Sequence, residues 1–201
     1  MRVIFSFLLI LLLAGAVQAQ ETLSVLSYNI SFPLSDMKDF VDNMSWRGIH
    51  LEGRKFVNPK FSVGVSGAVN TFHKNTDDIL KLEIGDASGD VSGNQFRVAR
   101  TFPLLATAHY YFQPYSRRGG VIPFAGLRAG TYYLKRRLDI GVVSIDDTNW
   151  HFGLSPELGV LIPYRYETGV FLNVKYNYIF SVTDDADYSY IDVNIGFSFS
   201  S

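Results

Sequence analysis

The chain of 201 residues contains no cysteine. That excludes a disulfide framework, thiolate metal sites and cysteine catalysis. Charged residues make up only 18%, below the roughly 25% usual in soluble domains. The formal net charge of −1 leaves no basic excess for a nucleic-acid surface. Beyond the first twenty residues there is no apolar run long enough for a membrane-crossing helix. What is abundant is aromatic: Phe, Tyr and Trp reach 15%.

The first segment has the layout of an export signal. Met1 and Arg2 form a basic head, Val3 to Leu13 are almost wholly apolar, and Ala14-Gly15-Ala16-Val17-Gln18-Ala19 ends in small residues. This predicts a signal peptide over residues 1–19 and a mature domain over 20–201. Eleven apolar residues are too few to span a bilayer, which needs about twenty.

From there on, apolar residues recur at every second position, which predicts strands and no helix. Eight are expected: about 23–32, 45–57, 61–70, 96–112, 121–134, 150–162, 170–180 and 191–199. The strand over 96–112, for example, sets Val98, Phe102, Leu104 and Tyr110 on one face against Arg97, Thr101, Thr107 and His109 on the other. Links 58–60, 113–120 and 163–168 are short, whereas 33–44, 73–95 and 135–149 are long; the last link, 183–187, is shorter. An even number of roughly ten-residue strands, with short turns on one rim and longer loops on the other, is the pattern of an outer-membrane barrel. The predicted fold is therefore all-β: an eight-stranded antiparallel transmembrane up-and-down β-barrel in the outer membrane.

Charge placement supports this independently. The longer links carry fourteen of the nineteen acids against six bases, namely Lys38, Lys74, Lys81, Lys135, Arg136 and Arg137. Within the strands, Glu52, Arg54, Arg97, Arg128, Glu157, Lys175 and Asp192 fall on the less apolar faces, and we expect them to form a structural or gating network in the lumen. Arg128 and Glu157, on adjacent strands, are expected to pair. Only Lys55 and Arg100 interrupt the apolar faces, near strand ends where a long side chain can snorkel. A soluble barrel would crowd its polar face with Lys and Glu. Here that face is mainly Gly, Ser, Asn and Thr, which suits a narrow filled lumen. Phe61, Tyr110, Phe112, Tyr164 and Phe199 should form one interfacial girdle and Trp46, Tyr133, Trp150 and Phe180 the other. Pro103 and Pro156 lie inside strands and should break the hydrogen-bond ladder.

The stretches from Pro123 to Tyr133, from Trp150 to Val160 and from Ile191 to Phe199 resemble small outer-membrane barrel proteins. They are most similar to outer-membrane protein W relatives of Bacteroidetes-type bacteria, chiefly over Pro156-Glu157-Leu158-Gly159-Val160. The resemblance implies insertion by the barrel assembly machinery and a narrow conduit passing small hydrophobic ligands sideways into the membrane.

A second reading is a structural or surface-interaction barrel. Its acidic loop over 73–95 would meet a partner, or divalent cations bridging lipopolysaccharide and other outer-membrane lipids. A third, the least favoured, is a lipid-modifying enzyme. His151 and Ser155 share a strand face, but four residues along a strand is roughly 13 Å, too far for a base and its nucleophile. Gly85 to Asp90 lacks the alternating acids of a calcium loop and is expected to be a flexible loop. The sequence therefore predicts no enzyme, no catalytic residues, no cofactor, no metal and no nucleic-acid partner.

Overall fold

The computed structural model describes residues 21–76, 79–84, 87–92, 95–116, 119–140, 143–164, 167–180 and 188–201. The expected signal peptide lies outside these residues. Among the described residues there are ten strands: β1 (Thr22–Leu34), β2 (Ser45–Asn58), β3 (Phe61–Thr76), β4 (Ile79–Ile84), β5 (Ala87–Ser92), β6 (Gln95–Tyr111), β7 (Ile122–Ile140), β8 (Val143–Pro163), β9 (Thr168–Phe180) and β10 (Tyr188–Ser200). Eight of them close a barrel in the order β1-β10-β9-β8-β7-β6-β3-β2, and β4 pairs with β5 as a separate hairpin. Every pairing is antiparallel. The ring is closed by β1 and β10, in register from Leu23 opposite Ser200 to Leu34 opposite Ser189. Full closure removes the sheet edge that lipid could not satisfy.

Two elements depart from the sequence expectation. The link after β1 contains a short helix, α1 (Ser35–Phe40), and the 73–95 link carries the β4–β5 hairpin rather than a simple loop. Six helical residues span less than two turns, too few to show a period of 3.6.

Side chains alternate across the barrel wall as a period of two requires. Leu104 is 64% exposed and its neighbour Leu105 only 4%. Leu26, Leu51, Val65, Leu127, Leu158 and Phe197 likewise face outward, giving the apolar band that lipid covers. The girdle residues Tyr110, Phe112, Tyr164 and Phe199 are exposed toward one rim, Trp46, Trp150 and Phe180 toward the other.

Both internal prolines interrupt their ladders as expected. Between β3 and β6 the pairing runs to Gly67–Leu104 and resumes at Asn70–Thr101, skipping the step that contains Pro103. Between β8 and β9 it skips from Leu154–Tyr178 to Glu157–Lys175, across Pro156. Proline has no N–H to give, so the neighbouring strand loses its partner at that step.

At 19 and 21 residues, β7 and β8 are about twice as long as the roughly ten residues a tilted crossing needs. Their excess lies beyond Tyr133 and Trp150 and forms a hairpin standing off the long-link rim. By the rule that short turns face the periplasm, that rim is extracellular.

Candidate functional site

The inward positions of the strands meet in a buried ionic layer halfway along the barrel. On β2, Glu52 and Arg54 are two residues apart and so point the same way. Arg54 closes on its neighbour through Nε, 2.9 Å from Oε1, and through Nη2, which donates to Oε2 at 3.0 Å. From β7, Arg128 donates through Nη2 to Glu52 Oε2 at 2.8 Å and to Glu157 Oε2 at 2.7 Å. The second guanidinium thus ties two carboxylates together, and the expected Arg128–Glu157 pair is present.

His109 of β6 donates to Glu157 and lies 3.5 Å from Glu52 Oε1, while Asn173 of β9 donates to Glu157 from the other side. Lys175 and Asp192 face each other directly on β9 and β10, with Nζ 3.4 Å from Oδ2. Asp192 also accepts from Ser31 at 2.5 Å and from Asn177 at 3.1 Å. Among the described residues the buried charges are Glu52, Glu157 and Asp192 against Arg54, Arg128 and Lys175. They cancel, which is the condition for holding six charges away from water.

Room for this layer is made by glycine. A Cβ at Gly126 would lie 2.5 Å from His109 Cδ2 and 2.7 Å from Glu157 Oε1, so only hydrogen fits there.

Arg97 stands apart from the six. It sits at the extracellular rim, half-buried, with its guanidinium 5.8 Å from the Phe40 ring. Of the seven residues expected in the lumen network, Glu52, Arg54, Arg128 and Glu157 form one cluster with His50, His109, Tyr111 and Asn173, Lys175 and Asp192 form a separate buried pair, and Arg97 lies at the rim.

Above and below the ionic layer the inward residues include, beside Ser31, Asn70, Thr101 and Ser62, two apolar clusters. Toward the periplasm, Leu23, Val25, Phe56, Tyr111, Ile122, Phe124, Leu161 and Phe171 form one buried cluster. Arg54 is held against it, its guanidinium 4.8 Å from the Phe124 ring and 5.2 Å from that of Phe171, with Nη1 donating to the Tyr111 hydroxyl at 3.1 Å. Toward the outside, Phe72, Ala99, Leu105, Tyr132, Leu134, Ile179, Tyr188 and Tyr190 form a second cluster, which Met37 of α1 and Val41 enter from the mouth. The charged layer thus lies between two buried apolar clusters.

The histidines decide whether this centre can do acid–base chemistry. His50 Nδ1 lies 3.0 Å from Ser27 Oγ, on the facing position of β1, a pair that sequence spacing could not reveal. His50 Nε2 lies 2.9 Å from Arg128 Nη1. A guanidinium only donates, so Nε2 is the acceptor and the proton sits on Nδ1, which donates to the serine. In that tautomer His50 cannot take the Ser27 proton, and both side chains are buried. His151 and Ser155, the pair singled out in the sequence, are both buried in the lumen with His151 Nδ1 and Ser155 Oγ lacking hydrogen-bond partners, so no hydrogen bond links them.

Glu52, His109 and Glu157 also bring three potential ligand atoms within 4.8 Å of one another. Each carboxylate already receives a guanidinium, and two fixed positive charges beside the site repel a cation. The cluster is built as an ion-pair lock.

At the rim the charges are solvated. Lys74 pairs with Asp42 at 2.8 Å, and the Lys74 hydrogen bond holds the Asp42 carboxyl below the usual range. On the β7–β8 hairpin, Arg137 pairs with Asp139 at 3.0 Å and lies 3.8 Å from Asp146, while Arg136 pairs with Asp147. The Asp139 carboxyl is held low by the Ser144 hydroxyl and then by Arg137, whose own value Asp139 raises.

A closed eight-stranded barrel with an apolar outer band and a filled interior is an outer-membrane barrel. Residues 5–200 match the family described as outer membrane protein beta-barrel domain, and the chain belongs to that family. No curated protein is similar enough to count as a relative.

Among solved structures it is similar to Neisserial surface protein A (NspA), with 14% identity, a TM-score of 0.55 and coverage of 90% of this chain and 97% of that one. It is similar to Ail, the attachment invasion locus protein of Yersinia pestis in complex with the heparin analogue sucrose octasulfate, at 15% identity and a TM-score of 0.52, covering 90% and 100%. It is similar to the outer membrane protein OprG from Pseudomonas aeruginosa, at 16% identity and a TM-score of 0.51, covering 92% and 97%. At such identities the likeness is one of fold. The protein resides in the outer membrane.

Proposed function

We propose that this protein is a sealed, non-enzymatic barrel whose work is done at its extracellular rim, by contact with a surface partner. The observation that carries this reading is the neutral ionic layer of Glu52, Arg54, Arg128, Glu157, Lys175 and Asp192, closed by an apolar cluster on either side. In this reading those six residues are structural and Arg97 belongs to the rim. Chain length invested beyond the membrane agrees with it: the β7–β8 hairpin and the β4–β5 hairpin both stand on the long-link side. The absence of a hydroxyl that a histidine could activate at Ser27 supports the non-enzymatic part.

Single-channel recording of the purified protein in a planar bilayer tests the reading. No stable steps are expected, and large stable steps would overturn it.

One observation favours a second reading, the lateral conduit that a likeness to outer-membrane protein W relatives implies. The ladder breaks at Pro103 and Pro156 leave steps of the wall untied. The inward residues at both breaks, Thr101, Leu105, Ser155 and Asn177, are nonetheless buried, so passage there requires the wall and the outer cluster to open together. Accumulation of a small apolar solute by cells carrying the protein, abolished when β3 is disulfide-linked to β6 across the first break, would favour this reading over the sealed one.

A further inference from the structure

The outward face of the barrel is largely apolar, interrupted among the described strand residues by Arg47, Lys55 and Arg100, and at Arg100 the interruption is not solitary. Arg100 on β6 faces Lys135 directly on β7; two rungs further out Val98 faces Arg137, and two beyond that Phe96 faces Asp139. These six residues line a groove of about 180 Å³ on the outside of the wall. Directly beneath it, Phe102, Tyr133 and Trp150 form the aromatic belt, with ring centroids 5.8 Å apart for Phe102–Tyr133 and 5.0 Å for Tyr133–Trp150. Lys135 and Arg137 are two and four residues beyond Tyr133. On strands tilted by about 40° that is roughly 5 and 10 Å above the belt. This is the depth at which the headgroups of the outer leaflet begin.

We propose that this groove binds a phosphate group of an outer-leaflet phosphoglycolipid. Arg100, Lys135 and Arg137 supply the cations, Phe96 and Val98 the apolar side against which the sugar rests, and the belt below receives the acyl chains. Arg100 makes no ion pair with any described residue, whereas Lys135 lies 3.9 Å from Asp146 and Arg137 is shared between Asp139 and Asp146. Three cations against two acids leave the groove positive on a rim that is otherwise acidic. The three pairs are solvent-exposed and so worth little each, and a doubly charged phosphate can displace a carboxylate from them. The arrangement also makes sense of an arginine on a lipid-facing strand: its stem lies along the wall and its head reaches phosphate instead of water. The inference is independent of whether the lumen conducts.

The test is a binding titration of the folded protein in zwitterionic detergent micelles with bis-phosphorylated lipid A, read by quenching of Trp150 in a Trp46→Phe background that removes the other belt tryptophan. The dephosphorylated lipid, inorganic phosphate and phosphatidylethanolamine serve as alternative probes. Saturable, salt-sensitive binding of lipid A is expected, with much weaker binding of its dephosphorylated form. The combined variant Arg100→Gln, Lys135→Gln, Arg137→Gln should lose about tenfold in affinity, the sum of three exposed charge contacts. Lys55→Gln, on the same outward face near the periplasmic rim, should bind as the unaltered protein does. Equal binding by the triple variant, or equal loss in Lys55→Gln, would overturn the proposal. So would inorganic phosphate competing as well as lipid A, which would make the groove a plain anion site. All the substituted residues face outward, and retention of the compact, heat-modifiable band on gels confirms that each variant is folded.

Discussion

Arg128 Nη2 and Glu157 Oε2 lie 2.7 Å apart although their residues are not partners in the β7–β8 ladder. Arg128 stands opposite Ser155, and Glu157 stands opposite Gly126. The ion pair therefore runs diagonally across two rungs, over a position where only glycine leaves space. The same guanidinium nitrogen reaches Glu52 on β2, on the far side of the lumen. One side chain thus staples opposite walls of the barrel.

Removing that staple should be costly. Arg128→Met leaves Glu52 and Glu157 buried with less positive charge than negative, a situation that costs about 3–5 kcal/mol. The solvated pair at the rim gives the contrast: Lys74→Gln should cost no more than about 1 kcal/mol. Urea unfolding in lipid vesicles, followed by tryptophan fluorescence, measures both. Equal midpoints for the two variants would contradict the staple.

The glycine beneath it gives a second check. Gly126→Ala drives a methyl into His109 and Glu157, and overpacking of this kind costs about 1–3 kcal/mol. Gly53 faces outward with nothing within 4 Å of its missing Cβ, so Gly53→Ala should change stability by no more than about 0.5 kcal/mol. A loss at Gly53 as large as at Gly126 would show that backbone freedom, not space, is what these glycines provide.

The eight barrel strands and their inward faces could be read from the chain because a barrel wall separates lipid from lumen at every second residue, whereas the β4–β5 hairpin outside the wall could not. The ladder breaks could be read because proline lacks its N–H wherever it sits. The apolar lids could not. Phe124, Phe171, Leu105 and Tyr111 point inward on strands whose outward faces are also apolar, so no alternation marks them. The pairing of Ser27 with His50 depends on strand register, which two separate runs of residues do not encode. Arg97 shares the inward parity of Thr101 and His109 but lies too far out along β6 to reach the ionic layer, because parity fixes a face and not a depth.

The rim should respond to acid in a defined direction. The Asp42 and Asp139 carboxyls are held below their ordinary value of about 3.9, by Lys74 and by Ser144 with Arg137 respectively. A depressed folded value means that the pairing contributes fully above the unfolded value and is lost as pH falls through the folded one. The two pairs should therefore be unchanged across neutral and mildly acid pH and weaken only below about pH 4. Carboxyl carbon shifts followed by NMR in micelles should give midpoints below the ordinary value. Lys74→Gln should raise that of Asp42, and Ser144→Ala that of Asp139. Midpoints that do not move in these variants would remove the assigned causes.

The mouth of the barrel offers the most direct test of closure, because a chain without cysteine can carry one at any chosen site. Met37 on α1 is completely buried in the outer apolar cluster, whereas Met44, just before β2, is 43% exposed. Around α1, Arg136 donates to the Tyr188 hydroxyl and lies 5.0 Å from that ring and 5.9 Å from the ring of Phe40, which holds the helix end against the wall. In intact cells a membrane-impermeant maleimide should label Met44→Cys quickly and Met37→Cys far more slowly. Arg136→Gln, which loosens the helix without touching Met37, should speed labelling at position 37 and leave position 44 unchanged. Equal rates at the two positions in the otherwise unaltered protein would mean that α1 does not close the mouth, and the outer seal would then rest on Phe72, Leu134 and Tyr190 alone.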